Sequence, residues 1–219
     1  MKCKGLLFDL DGTLVDSLPA VERAWTQLAQ RINVPVKDVL DFIHGKQAIT
    51  SIRHFMQGAS EEAIQQQFAW LEQREAEDVE GIKVLPGALE LLTYLNKANI
   101  PWAIVTSGTI PIAYARLRAA SLPEPGIFVT AEQVPRGKPE PDPYLLGAQL
   151  LGFEPEECAV VEDAPAGVQA GLAAGCHVIA VNPPPDTPRL EHADYVLSSL
   201  SELFVQKIDD GDIEILRKH

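Results

Sequence analysis

Asp9 and Asp11 are the first residues of this chain able to do chemistry. They stand in Asp9-Leu10-Asp11-Gly12-Thr13, directly after a short apolar run. Two acids separated by one residue of extended chain point to the same side. Buried together they repel each other unless a cation or a shared proton intervenes. Such a pair can hold a divalent cation through oxygen. It can also divide labour, one carboxylate attacking phosphorus while the other moves a proton. Gly12 lets the chain turn sharply behind them. A bare D-x-D pattern fits equally a strand that ends in a solvated acidic turn.

Three later segments offer complementary groups. Val105-Thr106-Ser107-Gly108 ends an apolar run in hydroxyls and free backbone amides, which suit a phosphate; the same residues could simply cap the following helix. Gly137-Lys138-Pro139-Glu140-Pro141 holds one lysine in a loop stiffened by two prolines. Its ammonium is either a fixed counter-charge or an ordinary solvated side chain. Val161-Glu162-Asp163-Ala164-Pro165-Ala166-Gly167 ends another apolar run in two acids, open to metal ligation or to an N-cap role for Asp163.

The elements that must position these groups follow from the hydrophobic pattern. Residues 4–9, 102–106, 159–161 and 178–181 read as short buried strands, each closing on a turn or an acid. Helical patterns over 88–98, 112–120, 142–151 and 164–174 separate the later ones. Strands alternating with helices predict an α/β fold with a Rossmann-like parallel sheet covered on both faces. All four segments then fall at strand ends, where ligands of such sheets bind. Residues 16–81 break the alternation. They contain no convincing strand, and 20–31, 48–56 and 61–77 read as amphipathic helices. The expectation is a catalytic core of 1–15 and 82–219 with an inserted α-helical cap of 16–81. Residues 204–216 alternate around Asp210-Gly211, compatible with a hairpin or with a disordered tail.

Composition narrows the function classes. The 219 residues carry a net charge of -13, from 31 acidic residues against 18 Lys plus Arg. No Lys/Arg run is present, which argues against nucleic acid as a partner. No apolar run reaches membrane-spanning length, and the first residues turn acidic by Asp9, unlike a signal peptide. The three cysteines, Cys3, Cys158 and Cys176, lie beside apolar runs at long spacings and read as reduced, buried thiols. A cytoplasmic, monomeric protein is expected. On so acidic a chain a phosphorylated ligand needs local positive charge, from a metal or a placed lysine.

In their order and placement the four segments resemble the haloacid dehalogenase superfamily. Its phosphatases carry D-x-D-G-[TV], a Thr or Ser after the second strand, a Lys, and a terminal acidic pair, matched here by Asp9 to Thr13, Ser107, Lys138 and Glu162-Asp163. The helical stretch sits where the family's C1 cap sits. The resemblance implies a phosphatase acting on a small phosphorylated metabolite with Mg²⁺. Asp9 would be the nucleophile and Asp11 the general acid and base. Mg²⁺ would be held by Asp9, the Asp11 carbonyl and Asp163, with Glu162 close or water-bridged. Ser107, the Gly108 amide and Lys138 would hold the phosphate. A β-phosphoglucomutase-like mutase is the alternative, and Val21, where that branch carries a cap-side His, argues against it. The cap pattern from Asp16 through Trp25 to Phe42-Ile43-His44-Gly45-Lys46 resembles the sugar and polyol phosphatase branch. On that likeness His44, Gly45 and Lys46 form a specificity loop, unless they are merely an exposed turn. Trp25 is expected to be cap core rather than a sugar platform, and His54 a solvated or packed helix side chain.

Overall fold

The computed structural model describes residues 1–208 and 211–218. In chain order the elements are β1 (Lys2–Cys3), β2 (Gly5–Phe8), β3 (Val15–Asp16), α1 (Leu18–Arg31), α2 (Val36–Ile43), α3 (Ala48–Phe55), α4 (Glu61–Glu77), β4 (Lys83–Val84), α5 (Ala88–Lys97), β5 (Trp102–Val105), α6 (Ile110–Ala119), β6 (Phe128–Val129), α7 (Asp142–Leu151), β7 (Cys158–Glu162), α8 (Pro165–Ala174), β8 (His177–Val181), β9 (Tyr195–Leu197), β10 (Leu203–Lys207) and β11 (Ile213–Arg217).

Six strands make one parallel sheet in the order β6-β5-β2-β7-β8-β9. Every residue of β2, β5 and β7 is buried, as expected where helices cover both faces. Alternate residues serve opposite cores. Leu6, Phe8, Ile104 and Val161 pack with Leu92, Leu95 and Leu117 of α5 and α6. Leu7, Val105, Val160 and Val178 pack with Tyr144, Ala148 and Val168 of α7 and α8. The first strand of this sheet along the chain, β2, lies between β5 and β7, so the chain leaves it to one side and later returns on the other. That reversal opens a crevice at the carboxyl ends of these three strands.

The helices α1 to α4 lie between β3 and β4, which pair antiparallel through Val15↔Val84 and Asp16↔Lys83. This ladder zips together the two chain segments that join the helical insert to the sheet. Arg23 adds a two-pronged bond to Asp78 at 2.9 and 2.8 Å. The insert has its own core, with Trp25, Leu28, Val39, Ile52 and Leu71 at its centre. Trp25 is therefore a packing residue, and His54 stacks on Phe42 with ring centroids 4.1 Å apart. Helix α2 lies outside the sequence expectation. Its apolar residues 36, 39, 40 and 43 keep the helical period, but eight residues with two β-branched valines do not sustain a helix alone. Packing on α1 and α3 stabilises it.

Strands β6 and β9 are also absent from the sequence expectation. At two and three residues they are too short to show a period. Of the two readings of the tail, the structure takes the hairpin: β10 and β11 pair antiparallel and recruit β1; Asp210, placed at its turn, lies outside the described residues. All three cysteines are free and buried, and burial pushes each thiol up to about 12. Among the described residues no helix is long and apolar enough to cross a membrane.

Leu71 is fully buried at the centre of the insert's core. Leu71→Ala is expected to destabilise the protein by about 2–5 kcal/mol in urea unfolding. A loss below about 1 kcal/mol would show that the insert is not packed as described.

Candidate active site

Asp9 directly follows β2, and its N–H still bonds Val161 O at 3.0 Å. The strand ladder therefore delivers its carboxylate to the crevice. The chain then coils tightly, with Leu14 and Val15 N–H groups both reaching Leu10 O. Gly12 adopts φ +88°, and a Cβ there would collide with the Asp163 carboxylate. Glycine thus admits Asp163 against the turn. Thr13 Oγ1 lies 3.3 Å from Asp9 Oδ2 and 3.1 Å from Asp163 Oδ1, so one hydroxyl serves two carboxylates.

Lys138 is 3% exposed. Its ammonium donates to Asp9 Oδ1 at 2.8 Å, Glu162 Oε1 at 2.6 Å and Val105 O at 3.0 Å. The three donors of a lysine are all engaged, and the solvated-side-chain alternative is excluded. Glu162 is equally committed. Oε1 accepts from Lys138 and from the Tyr144 hydroxyl at 2.6 Å, and Oε2 accepts the N–H groups of Asp163 and Ala164 at 3.1 and 3.3 Å. Its carboxylate sits so close to α8 that a Cβ on Gly167 would overlap it. Asp163 is not the helix cap: the cap position is Ala164, without a side-chain bond.

Charge is unbalanced here. Asp9, Glu162 and Asp163 offer oxygens all within 4.8 Å of one another, against one ammonium. Burial, then the neighbouring Glu162, pushes Asp9 up to about 7, with Lys138 opposing. Burial, then Asp9, raises Asp163 well above the usual carboxylate range. Burial alone would lower Lys138, but its two carboxylate partners hold it above its ordinary value. This oxygen-rich, over-negative site fits a divalent cation. Asp9 and Asp163 have oxygen capacity left for one, whereas both oxygens of Glu162 are already doubly bonded.

The carboxylate of Asp11 points elsewhere. Its Oδ1 accepts from Ser17 Oγ at 2.5 Å and from Arg116 Nε at 3.2 Å. Ser107 Oγ donates to Gly45 O at 3.0 Å, which ties this strand end to the α2–α3 turn of the insert. The Gly108 N–H is held by Thr106 Oγ1 at 3.1 Å. Both donors are engaged within the chain. Gly45 packs over Ala164. His44 is exposed. Lys46, in the turn after α2, folds back on that helix, donating to Phe42 O at 2.8 Å above the Phe42 ring. So the loop reaches the strand ends through Gly45 and Gln47, which contacts Ala131 O, while the Lys46 ammonium is engaged away from the carboxylates.

Thr106, 3% exposed, is the buried hydroxyl at this strand end. Two residues escape sequence reasoning: Tyr144 supports Glu162, and Arg116 meets Asp11. Helical spacing was their available signal: Arg116 shares a face with Ile112 and Ala113, and Tyr144 with Ala148.

Residues 3–175 match the haloacid dehalogenase-like hydrolase family. Hexitol phosphatase A of Escherichia coli (strain K12) is 66% identical, over 98% of this chain and 100% of that protein. Glycerol-1-phosphate phosphohydrolase 2 of Saccharomyces cerevisiae is 35% identical, over 83% of this chain and 75% of its own length. A crystal structure of a hydrolase from Pseudomonas syringae superposes with a TM-score of 0.79 at 28% identity, covering 90% of this chain and 94% of that one.

A carboxyl whose pKa is raised on folding stabilises the protein only while protonated. For Asp9 that contribution is complete below about 4 and is lost as pH rises through about 7. Asp9→Asn should therefore raise the Tm of the metal-free protein more at pH 8 than at pH 5. An equal shift at both pH values would contradict the raised carboxyl.

Proposed function

The chain belongs to the haloacid dehalogenase-like hydrolase family, and on that premise we propose that it is a phosphoric monoester hydrolase using Asp9 as nucleophile, with Mg²⁺, on hexitol or related polyol and sugar phosphates. The carrying observation is the buried Asp9 carboxylate, fixed at one oxygen by Lys138 and at the other by Thr13, beside Asp163. Similarity to a hexitol phosphatase over nearly the whole chain supports the substrate class.

In the first step an Asp9 oxygen forms a bond to phosphorus as the ester P–O bond breaks. The departing alkoxide takes its proton from Asp11. In the second step water attacks the aspartyl phosphate, Asp11 accepts a water proton, and the Asp9 carboxylate leaves with its electron pair. Phosphoryl transfer depends on positioning and neutralisation of charge. Lys138 supplies a fixed positive charge beside Asp9, and Glu162 and Tyr144 keep it in place. Mg²⁺, held by Asp9, Asp163 and the Asp11 carbonyl, would supply further neutralisation of the phosphoryl oxygens. Thr106, Ser107 and the Gly108 amide receive phosphate oxygens. Ser107 exchanges its bond to Gly45 for one to substrate, which makes movement of the 16–81 cap part of the cycle. The Gly45 turn, with His44 and Lys46 at its flanks, faces the alcohol portion; Lys46 contributes charge only after leaving Phe42.

Free-phosphate assays over a panel of phosphorylated metabolites with Mg²⁺ are expected to give the highest kcat/KM for hexitol phosphates. Asp9→Ala should lower turnover at least about 10⁴-fold, and Asp11→Asn about 10²–10⁴-fold. Full activity in purified Asp9→Ala would overturn the mechanism, and no phosphate release from any substrate would overturn the activity. Removal of metal with EDTA should abolish turnover. Added Mg²⁺ should raise Tm, more at pH 8 than at pH 6, because its carboxylate ligands must be deprotonated. A Tm unchanged by Mg²⁺ at either pH would contradict the metal assignment.

A further inference from the structure

Arg116 is fully buried, on core helix α6, and nothing in the chemistry above uses it. Its guanidinium lies between two carboxylates. Nε donates to Asp11 Oδ1 at 3.2 Å, Nη1 to the backbone oxygen of Glu75 at 2.9 Å and Nη2 to Glu75 Oε1 at 3.2 Å. Glu75 is itself buried, in the last turns of α4, the helix that leads back from the insert to the sheet. One rigid fork thus connects the insert to Asp11 across the contact between α4 and α6. Buried charge clusters of this kind are poor stabilisers, and apolar replacements of the same volume are often at least as stable. A purpose other than stability is therefore called for.

The pattern at Asp11 supplies one. Both of its described side-chain bonds, from Ser17 and from Arg116, fall on Oδ1. Oδ2 has no partner among the described residues. Holding one oxygen from two sides sets the carboxyl plane and leaves the other oxygen to carry the proton. A planar guanidinium is suited to this because its donors keep fixed directions. We infer that Arg116 is a positioning residue that ties the orientation of Asp11 to the seating of α4 on the core, so that proton transfer is efficient only when the insert is docked. This rests on the phosphatase reading and on Asp11 as its acid and base.

Leaving-group dependence tests it. A polyol alkoxide needs a proton as it departs, whereas p-nitrophenolate does not. Phosphoenzyme formation is measured in single turnovers with sorbitol 6-phosphate and with p-nitrophenyl phosphate. Arg116→Met is expected to slow the first by about 10–100-fold and the second by less than about threefold. Glu75→Gln, which removes the carboxylate at the far end of the fork, should show the same selectivity at smaller size. Arg116→Lys should fall between Arg116→Met and wild type. Equal losses on both substrates, or none on either, overturn the inference. Selectivity in Arg116→Met with Glu75→Gln like wild type overturns the tie to the insert. Should Arg116→Met fail to fold, Arg116→Lys and Glu75→Gln carry the same comparison. A wild-type protein that forms no phosphoenzyme from either substrate overturns the phosphatase reading itself, which separates that failure from this one.

Discussion

The ammonium of Lys138 is the contact on which the site depends. It lies out of water between Asp9, Glu162 and the Val105 carbonyl. An unpaired charge in such a place would be severely unfavourable. Three acceptors from three adjacent strand ends compensate it, and in doing so they fix the separation of those ends. The carboxylates need the lysine as much as the lysine needs them, since Asp9 and Glu162 buried together would otherwise repel. Each nearby feature follows from keeping this arrangement dry and rigid: Tyr144 behind Glu162, Gly167 giving room for that carboxylate, Gly12 giving room for Asp163.

One ammonium cannot balance three carboxylates. Burial first, and then the neighbouring carboxylates, raise the pKa values of Asp9 and Asp163. A site that resists its own ionisation is poised to accept positive charge. The imbalance that makes the metal-free site unfavourable is what a divalent cation there would relieve. Glu162 takes little direct part in this. Saturated by its own hydrogen bonds, it acts through Lys138 and the backbone of the β7–α8 turn.

The parallel sheet and the helical insert divide the remaining work. Strand order puts β2 between β5 and β7, which brings residues far apart in sequence to one edge. Among the described residues the insert meets that edge through few side-chain polar contacts: Ser107 to Gly45, Gln47 to Ala131, Ser17 to Asp11 and Arg116 to Glu75. Contacts so sparse are compatible with release and re-formation. Two of them reach the acidic motif, both at Asp11 Oδ1: Ser17 directly, and Glu75 through the buried fork of Arg116.

Much of this is legible along the chain because it is written in local pattern. Wholly apolar runs ending in acids mark buried parallel strands. The helical period marks α1, α3 and α4, and the motif Asp9 to Thr13 marks the turn. Where a segment is too short to carry a period, as in β6, β9 and α2, neighbours decide its structure. The same limit applies within the site. The sequence by itself determined which groups are available: two aspartates and an acidic pair at strand ends and a lysine in a proline-stiffened loop, with a helical insert after the first strand of the parallel sheet. Tertiary structure alone decided how each is engaged. It buried Lys138, filled every acceptor of Glu162, turned Lys46 back on Phe42 and carried Arg116 to Asp11, 105 positions away along the chain. Hydrogen-bond partners and burial are set by packing between distant elements, and no local spacing encodes them.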